Sequence, residues 1–423
     1  MSTLLQKLNH ALHDETLRRR LLFVAGALVV FRFLSAIPIP GIDAVRLDAF
    51  FSGNQFFGLL DVFSGGGLSH LSIVMLGVGP YITASIIMQL LTMMSPKLKA
   101  LYQEEGEAGR ARFAQYSRLI TVPLALVQSF AFLTLLERQG VVLPLSGFET
   151  IANIIIITGG SLLLMWIGEL MTEFGVGNGT SLLIFAGIVA RLPQAMSQAL
   201  FSFDASQIPM YLLFLAAAVA IVFGVVFVTE AERPIPVTYA KRVRGNKVYG
   251  GVSTYLPLRV NQAGVIPIIF ALSILLFPQM IATFLSAFQN SILVSIASFL
   301  TTIFGNPWVY ASLYFVLVLL FTYFYTAVTF DPDQISENLQ KNGAFIPGVR
   351  PGPSTSEYIA HILTRITLVG AVFLALVAVL PLAMRGITGN ASLAIGGTAL
   401  LIVVSVVLDF IKKIDAQVSM REY

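Results

Sequence analysis

Apolar stretches long enough to cross a bilayer recur ten times, at about 19–38, 75–95, 116–136, 152–172, 181–200, 210–229, 262–285, 307–328, 364–383 and 395–412. About 20 apolar helical residues cover the ~30 Å of hydrocarbon, so each stretch predicts a spanning helix. The fifth is interrupted by Arg191, Pro193 and Gln194, and the seventh carries Pro267 and Pro278. Between Phe56 and Pro96 the chain is apolar but broken twice. Residues 55–63 would make a helix only ~14 Å long, and Ser64-Gly65-Gly66-Gly67 then stops it, so this segment dips into the bilayer without crossing. The second break, Gly77-Val78-Gly79-Pro80, loosens the start of the second span, because Pro80 lacks a donor and crowds the preceding turn. Backbone loosened at membrane depth has to be buried in protein or line a cavity. Two readings follow: a channel with a re-entrant element, or a Pro-kinked helix after a surface loop.

Composition narrows the class. With 56% hydrophobic and 11% charged residues in 423, a soluble domain is a poor explanation and a polytopic membrane protein a good one. If the N-terminus is cytosolic, 21 of the 26 Lys and Arg fall on cytosolic segments. Outside lie Arg46, Arg138, Arg191 and Arg385, with Arg32 in the first span. This asymmetry places both termini in the cytosol. The net charge of +4 does not by itself suggest a nucleic-acid partner. Arg18-Arg19-Arg20 before an apolar run is a weak signal-peptide pattern, because the run continues to Pro38 without a convincing cleavage site. An even division into residues 1–200 and 201–423 gives five spans per half. An odd number of crossings makes the halves candidates for inverted repeats, although no sequence repeat demonstrates it. The large cytosolic loops at 230–260 and 331–361 both lie in the second half and read either as docking surfaces or as topology determinants.

Candidate chemistry is sparse. Without cysteine there are no disulfides, no thiol catalysis and no cysteine-ligated metal. His10, His13, His70 and His361 have no metal-binding spacing, so no metal and no cofactor are expected. The glycine clusters at 64–69 and Gly175-Val176-Gly177-Asn178-Gly179 do not make phosphate loops, since the first lacks the Lys-Ser/Thr pair and neither follows a buried strand. Arg32 is the clear ionisable residue inside a span and fits helix packing or snorkelling better than transport. Val78 and Ile82, and again Thr180 and Ile184, stand at i, i+4 beside Gly-rich breaks and so share one helix face. Such pairs could form a dry constriction, but spacing alone favours ordinary lipid or core contacts.

Taken together, the motifs resemble the SecY family of protein-conducting channels from about Arg18 to Ala416. They are Ile37-Pro38-Ile39-Pro40-Gly41-Ile42, Phe63-Ser64-Gly65-Gly66, Pro80-Tyr81-Ile82-Thr83-Ala84-Ser85, Glu105-Gly106-Glu107-Ala108-Gly109-Arg110, Gly175 to Gly179, Tyr239-Ala240-Lys241-Arg242, Asn261-Gln262-Ala263-Gly264-Val265-Ile266-Pro267, Gly343 to Gly352, and Gly396-Gly397-Thr398. The resemblance implies an all-α, ten-helix channel in two inverted halves, closed outside by a re-entrant plug and opening sideways to lipid. Carried over by position, the plug is about 57–71, with Asp61, Phe63, Ser64, Gly65, Gly66 and Gly67. The pore ring is Val78, Ile82, Thr180, Ile184, Ile269 and Ile402. The lateral gate lies between spans 2 and 3 and spans 7 and 8, with Thr83, Gln128 and Asn261 expected to bond to one another when closed. Lys241, Arg242, Arg244, Lys247 and Arg350 are implied contacts for the SecA motor or the ribosome, whose RNA would be the sole nucleic acid touched.

The family also implies SecE and SecG subunits, signal sequences and unfolded preproteins as substrates, surrounding lipid, and the cytoplasmic membrane as location. Two residues depart from its pattern. Thr180 stands where an aliphatic side chain is usual, with its hydroxyl expected to bond back to its own helix. Asn246 replaces one of two adjacent basic residues. No catalysis is expected. A secondary transporter is the rival reading, favoured by broken helices and opposed by the scarcity of buried charge. A membrane-embedded enzyme lacks a nucleophile-base pair or metal ligands.

Overall fold

The computed structural model describes residues 14–40, 67–68, 71–103, 105–138, 140–142, 144–201, 208–239, 242–244, 247–249, 253–286, 290–388 and 396–419. Every one of the ten apolar windows carries a helix. In chain order the helices are α1 (Glu15–Ser35), α2 (Gly79–Met94), α3 (Pro96–Gln103), α4 (Gly106–Arg138), α5 (Gly147–Phe174), α6 (Gly179–Phe201), α7 (Ile208–Glu230), α8 (Ile266–Ser286), α9 (Ser291–Gly305), α10 (Pro307–Thr329), α11 (Pro332–Lys341), α12 (Pro353–Thr388) and α13 (Gly396–Ser419). Among the described residues, four stretches are long and apolar enough to cross a membrane by length and composition: Gly106–Glu137, Gly147–Phe174, Pro307–Lys341 and Pro353–Leu380. The expected re-entrant helix at 55–63 lies outside the described residues.

The second window behaves differently from its neighbours. Its helix begins at Gly79 rather than near 75, and with 16 residues it reaches only ~24 Å. Ahead of it, residues 71–78 run as successive turns. Two backbone bonds tie this run to the end of α1: Ile73 N–H donates to Ile37 C=O and Ile39 N–H to Leu71 C=O, both at 2.9 Å. The irregular stretch is buried in protein, with Leu71, Ser72, Val74 and Met75 shielded almost completely, as unpaired backbone at membrane depth requires. Two residues of α5 make room for it. A Cβ on Gly160 would lie 2.0 Å from the Ile73 carbonyl oxygen, and the buried Ser161 hydroxyl donates to Gly77 C=O at 2.7 Å. Leu68 and Leu71 pack with Ile39, Met75, Leu133, Leu136 and Ile157 in a separate cluster at the end of α4.

The loops at 230–260 and 331–361 are more ordered than their Pro/Gly content suggests. Strands β1 (Glu232–Tyr239), β2 (Arg242–Arg244), β3 (Lys247–Tyr249), β4 (Ser253–Arg259) and β5 (Ala344–Phe345) form a three-stranded antiparallel sheet in the order β4-β1-β5 and a β2-β3 hairpin. The β5 strand pairs with β1 only at Thr238 and Tyr239, so Pro234 and Pro236 have a strand neighbour on one side alone, where a missing N–H is tolerated. Ile235, Val237 and Leu258 alternate inward against Ala344, Ile346, Ile359 and Ile362. The two loops are therefore one packed unit on the start of α12.

A large apolar cluster runs through the centre of the molecule and draws on α1, α2, α5, α6, α7, α8, α10, α12 and α13. Around it α8 packs against α2, α4 and α10, while α13 packs against α6, α7 and α12. Where α5 turns into α6, a Cβ on Gly179 would lie 2.0 Å from the Gly168 carbonyl oxygen, and Gly177 has φ +93°. This glycine cluster serves a close helix-to-helix return, in keeping with its rejection as a phosphate loop.

Candidate pore, gate and docking surfaces

Four helices bring the aliphatic pore candidates inward. Val78 caps the N-terminus of α2 and Ile82 follows one turn later, Ile184 lies on α6, Ile269 on α8 and Ile402 on α13. All five are buried and belong to the central cluster. Ile86 and Ile188 continue the faces of Ile82 and Ile184 by one further turn and share that cluster; the i, i+4 spacing would have found them. Thr180 is only half-buried. Its hydroxyl makes no bond to its own helix, contrary to expectation, and instead faces Gly168, where an added Cβ would sit 3.4 Å from the oxygen. Water among side chains so apolar forfeits hydrogen bonds that they cannot replace.

Thr83 on α2, Gln128 on α4 and Asn261 just before α8 are each buried, in elements that pack on one another. The expected mutual bonds are absent. The Thr83 hydroxyl donates to Gly79 C=O at 3.0 Å, and Asn261 Oδ1 has no hydrogen-bond partner. A threonine in a helix reaches the carbonyl one turn back without moving either helix, and that local bond wins. Two amide groups that the sequence reading passed over are also buried without partners, Gln89 Oε1 and Gln262 Nε2. Each such group costs ~1–3 kcal/mol when desolvated unpaired.

The sequence reading also passed over an ion pair at the edges of the third and fourth windows. Arg118 Nε donates to Glu169 Oε1 at 2.7 Å across α4 and α5. Charges at the margin of an apolar window read as interfacial singly, and only the fold pairs them.

Asp61, Phe63, Ser64, Gly65 and Gly66 of the plug lie outside the described residues, as do Lys241 and Asn246. Gly67 is buried, and its carbonyl accepts from Ser72 N–H at 2.7 Å. Among the docking candidates, Arg242 and Arg244 fall on β2 and Lys247 on β3, where Arg244 stands opposite Lys247. Arg350 is exposed on a tightly held turn. The Ser336 hydroxyl donates to Gly352 C=O at 2.6 Å and the Thr355 hydroxyl to Arg350 C=O at 2.8 Å. Gly348 and Gly352 adopt φ +85° and +102° on either side of it, a conformation that favours glycine.

The SecY family model matches residues 72–411, most of the chain. The chain belongs to the SecY family. It is 44% identical over 415 residues to the protein translocase subunit SecY of Synechococcus elongatus, covering 96% of this chain and 93% of that one. It is 44% identical over 417 residues to that of Escherichia coli K12, with the same coverage. The Mycobacterium tuberculosis subunit is 40% identical over 433 residues, covering 98% and 97%. Among solved structures, a protein-conducting channel superposes with TM-score 0.65 at 18% identity, covering 96% of this chain and 93% of that one. Sec61 of a canine ribosome–channel complex does so at 0.61, with the same identity and coverage. The architecture of this SecY-family chain is thus that of the channel fold.

Proposed function

We propose that the chain forms the channel of a protein translocase, passing unfolded secretory polypeptides out of the cytosol and releasing apolar segments sideways into lipid. The observation that carries this reading, beyond family membership, is the convergence of Val78, Ile82, Ile184, Ile269 and Ile402 from four helices into one dry cluster. Aliphatic side chains seal against ions without fixed charge and deform around a passing chain. Thr180 makes one side of that ring wetter. The segment at 57–71 is the plug, anchored at its end by Leu68 and Leu71. The side exit is the seam where α8 meets α2 and α4, with α10 behind it.

The two halves, 1–200 and 201–423, are the bodies that part at that seam. Energy comes from partners. Exposed Arg350, the basic hairpin residues Arg242, Arg244 and Lys247, and the neighbouring Lys241 in the sequence suit a carboxylate-bearing motor such as SecA or ribosomal phosphate; Sec61 was solved with a ribosome. SecE and SecG complete the assembly in the cytoplasmic membrane, with both termini of this chain cytosolic.

A photo-crosslinking residue in place of Ile82 or Ile402 tests the path. Adducts to a stalled secretory chain are expected at both positions, and no adduct at either would remove the chain from this interior.

A further inference from the structure

Helix α9 is not among the ten apolar windows, yet it is apolar, capped at both ends and packed along α8 and α10. Its side chains divide into three stripes. Leu293, Ala297 and Phe304 turn toward the protein, and Phe304 reaches the central cluster. Next to that stripe stand Ile292, Ile296 and Phe299, which are 70%, 44% and 64% exposed. The far side carries Ser291, Ser295, Ser298 and Thr302, with Val294 the one apolar interruption. No charged residue occurs from Ser291 to Tyr310.

From this arrangement we infer that α9 lies along the outer membrane interface, with Ile292, Ile296 and Phe299 immersed among lipid acyl chains and the Ser/Thr stripe toward water. A helix with one apolar and one polar face settles in that plane. Lipid is the occupant because the exposed stripe continues into an outward face of α10, Val309, Leu313, Val316 and Leu320. Exposed Trp308 marks the corner between them, and tryptophan favours the headgroup level. The polar stripe tolerates partial desolvation, because Ser295, Ser298 and Thr302 donate to carbonyls of their own helix at 2.8 to 2.9 Å. Since α9 packs on α8, this contact fixes the outer end of the gate helix against the membrane. The outer side rests on the proposed topology.

The absence of native cysteine permits a direct test. In the assembled translocase in oriented vesicles, single cysteines at Ile292, Ile296, Phe299, Ser295 and Ser298 would carry an environment-sensitive fluorophore. Brominated acyl chains are expected to quench the first three, and external iodide the two serine positions. Iodide quenching at all five, lipid quenching at all five, or protection of the apolar three from both quenchers would each overturn the inference; the last outcome means a protein partner covers the stripe. Iodide reaching the serines only from the side that labels Asn342→Cys would overturn the topology itself, whatever the depth.

Discussion

Gly160 and Ser161 decide how the broken backbone ahead of α2 sits inside the molecule. One admits the Ile73 carbonyl by lacking a side chain, and the other satisfies Gly77 C=O. Ser161→Ala would leave that carbonyl buried and unpaired, a loss of ~1–3 kcal/mol expected as a lower unfolding midpoint in detergent; an unchanged midpoint would mean that water replaces the hydroxyl. The break at 77–80 was legible in the sequence, but its partner was not, because it stands 84 positions away. Asn261 carries the opposite lesson. Its Oδ1 is buried without a partner; on the proposal that the exit lies where α8 meets α2, Asn261→Leu removes that desolvated amide and is expected to stabilise the packed seam and demand a more hydrophobic signal sequence. An unchanged threshold across a graded series of signals would contradict this assignment.

Among the elements, helices with strong apolar runs were plain from sequence, and those with mixed patterns were not. The run from Ser291 to Gly305 escaped because its 15 residues, bounded by Asn290 and Asn306, fall short of a span. In the loop at 230–260, Pro234 and Pro236 disguised β1, although Ile235 and Val237 already alternate as a half-buried strand does. The loop carrying Arg350 is held by the middle of α11 and the start of α12 through Ser336 and Thr355. Because its backbone is fixed independently of the guanidinium, Arg350→Glu is expected to leave membrane insertion and SecE binding intact while strongly reducing motor-driven export. Normal export by that variant would return the loop to a purely topological role.

At the scale of the whole molecule, apolar windows and the Lys/Arg asymmetry made the membrane class legible, and the accumulated motifs made the family legible. The convergence of the pore candidates was not, because Val78, Ile184, Ile269 and Ile402 come from distant parts of the chain, and from spacing alone each reads as a lipid or core contact. The fold brings them from four helices into one cluster. On the proposed function, this cluster is the resting seal of a polypeptide channel. Planar-bilayer recordings of the reconstituted translocase carrying Ile82→Ser and Ile184→Ser together test it most directly, since two hydroxyls would supply water with the partners that the aliphatic ring denies it. A resting ion leak absent from the wild type is expected, while wild-type resting conductance in the double variant would mean that these residues merely pack and that the seal lies elsewhere.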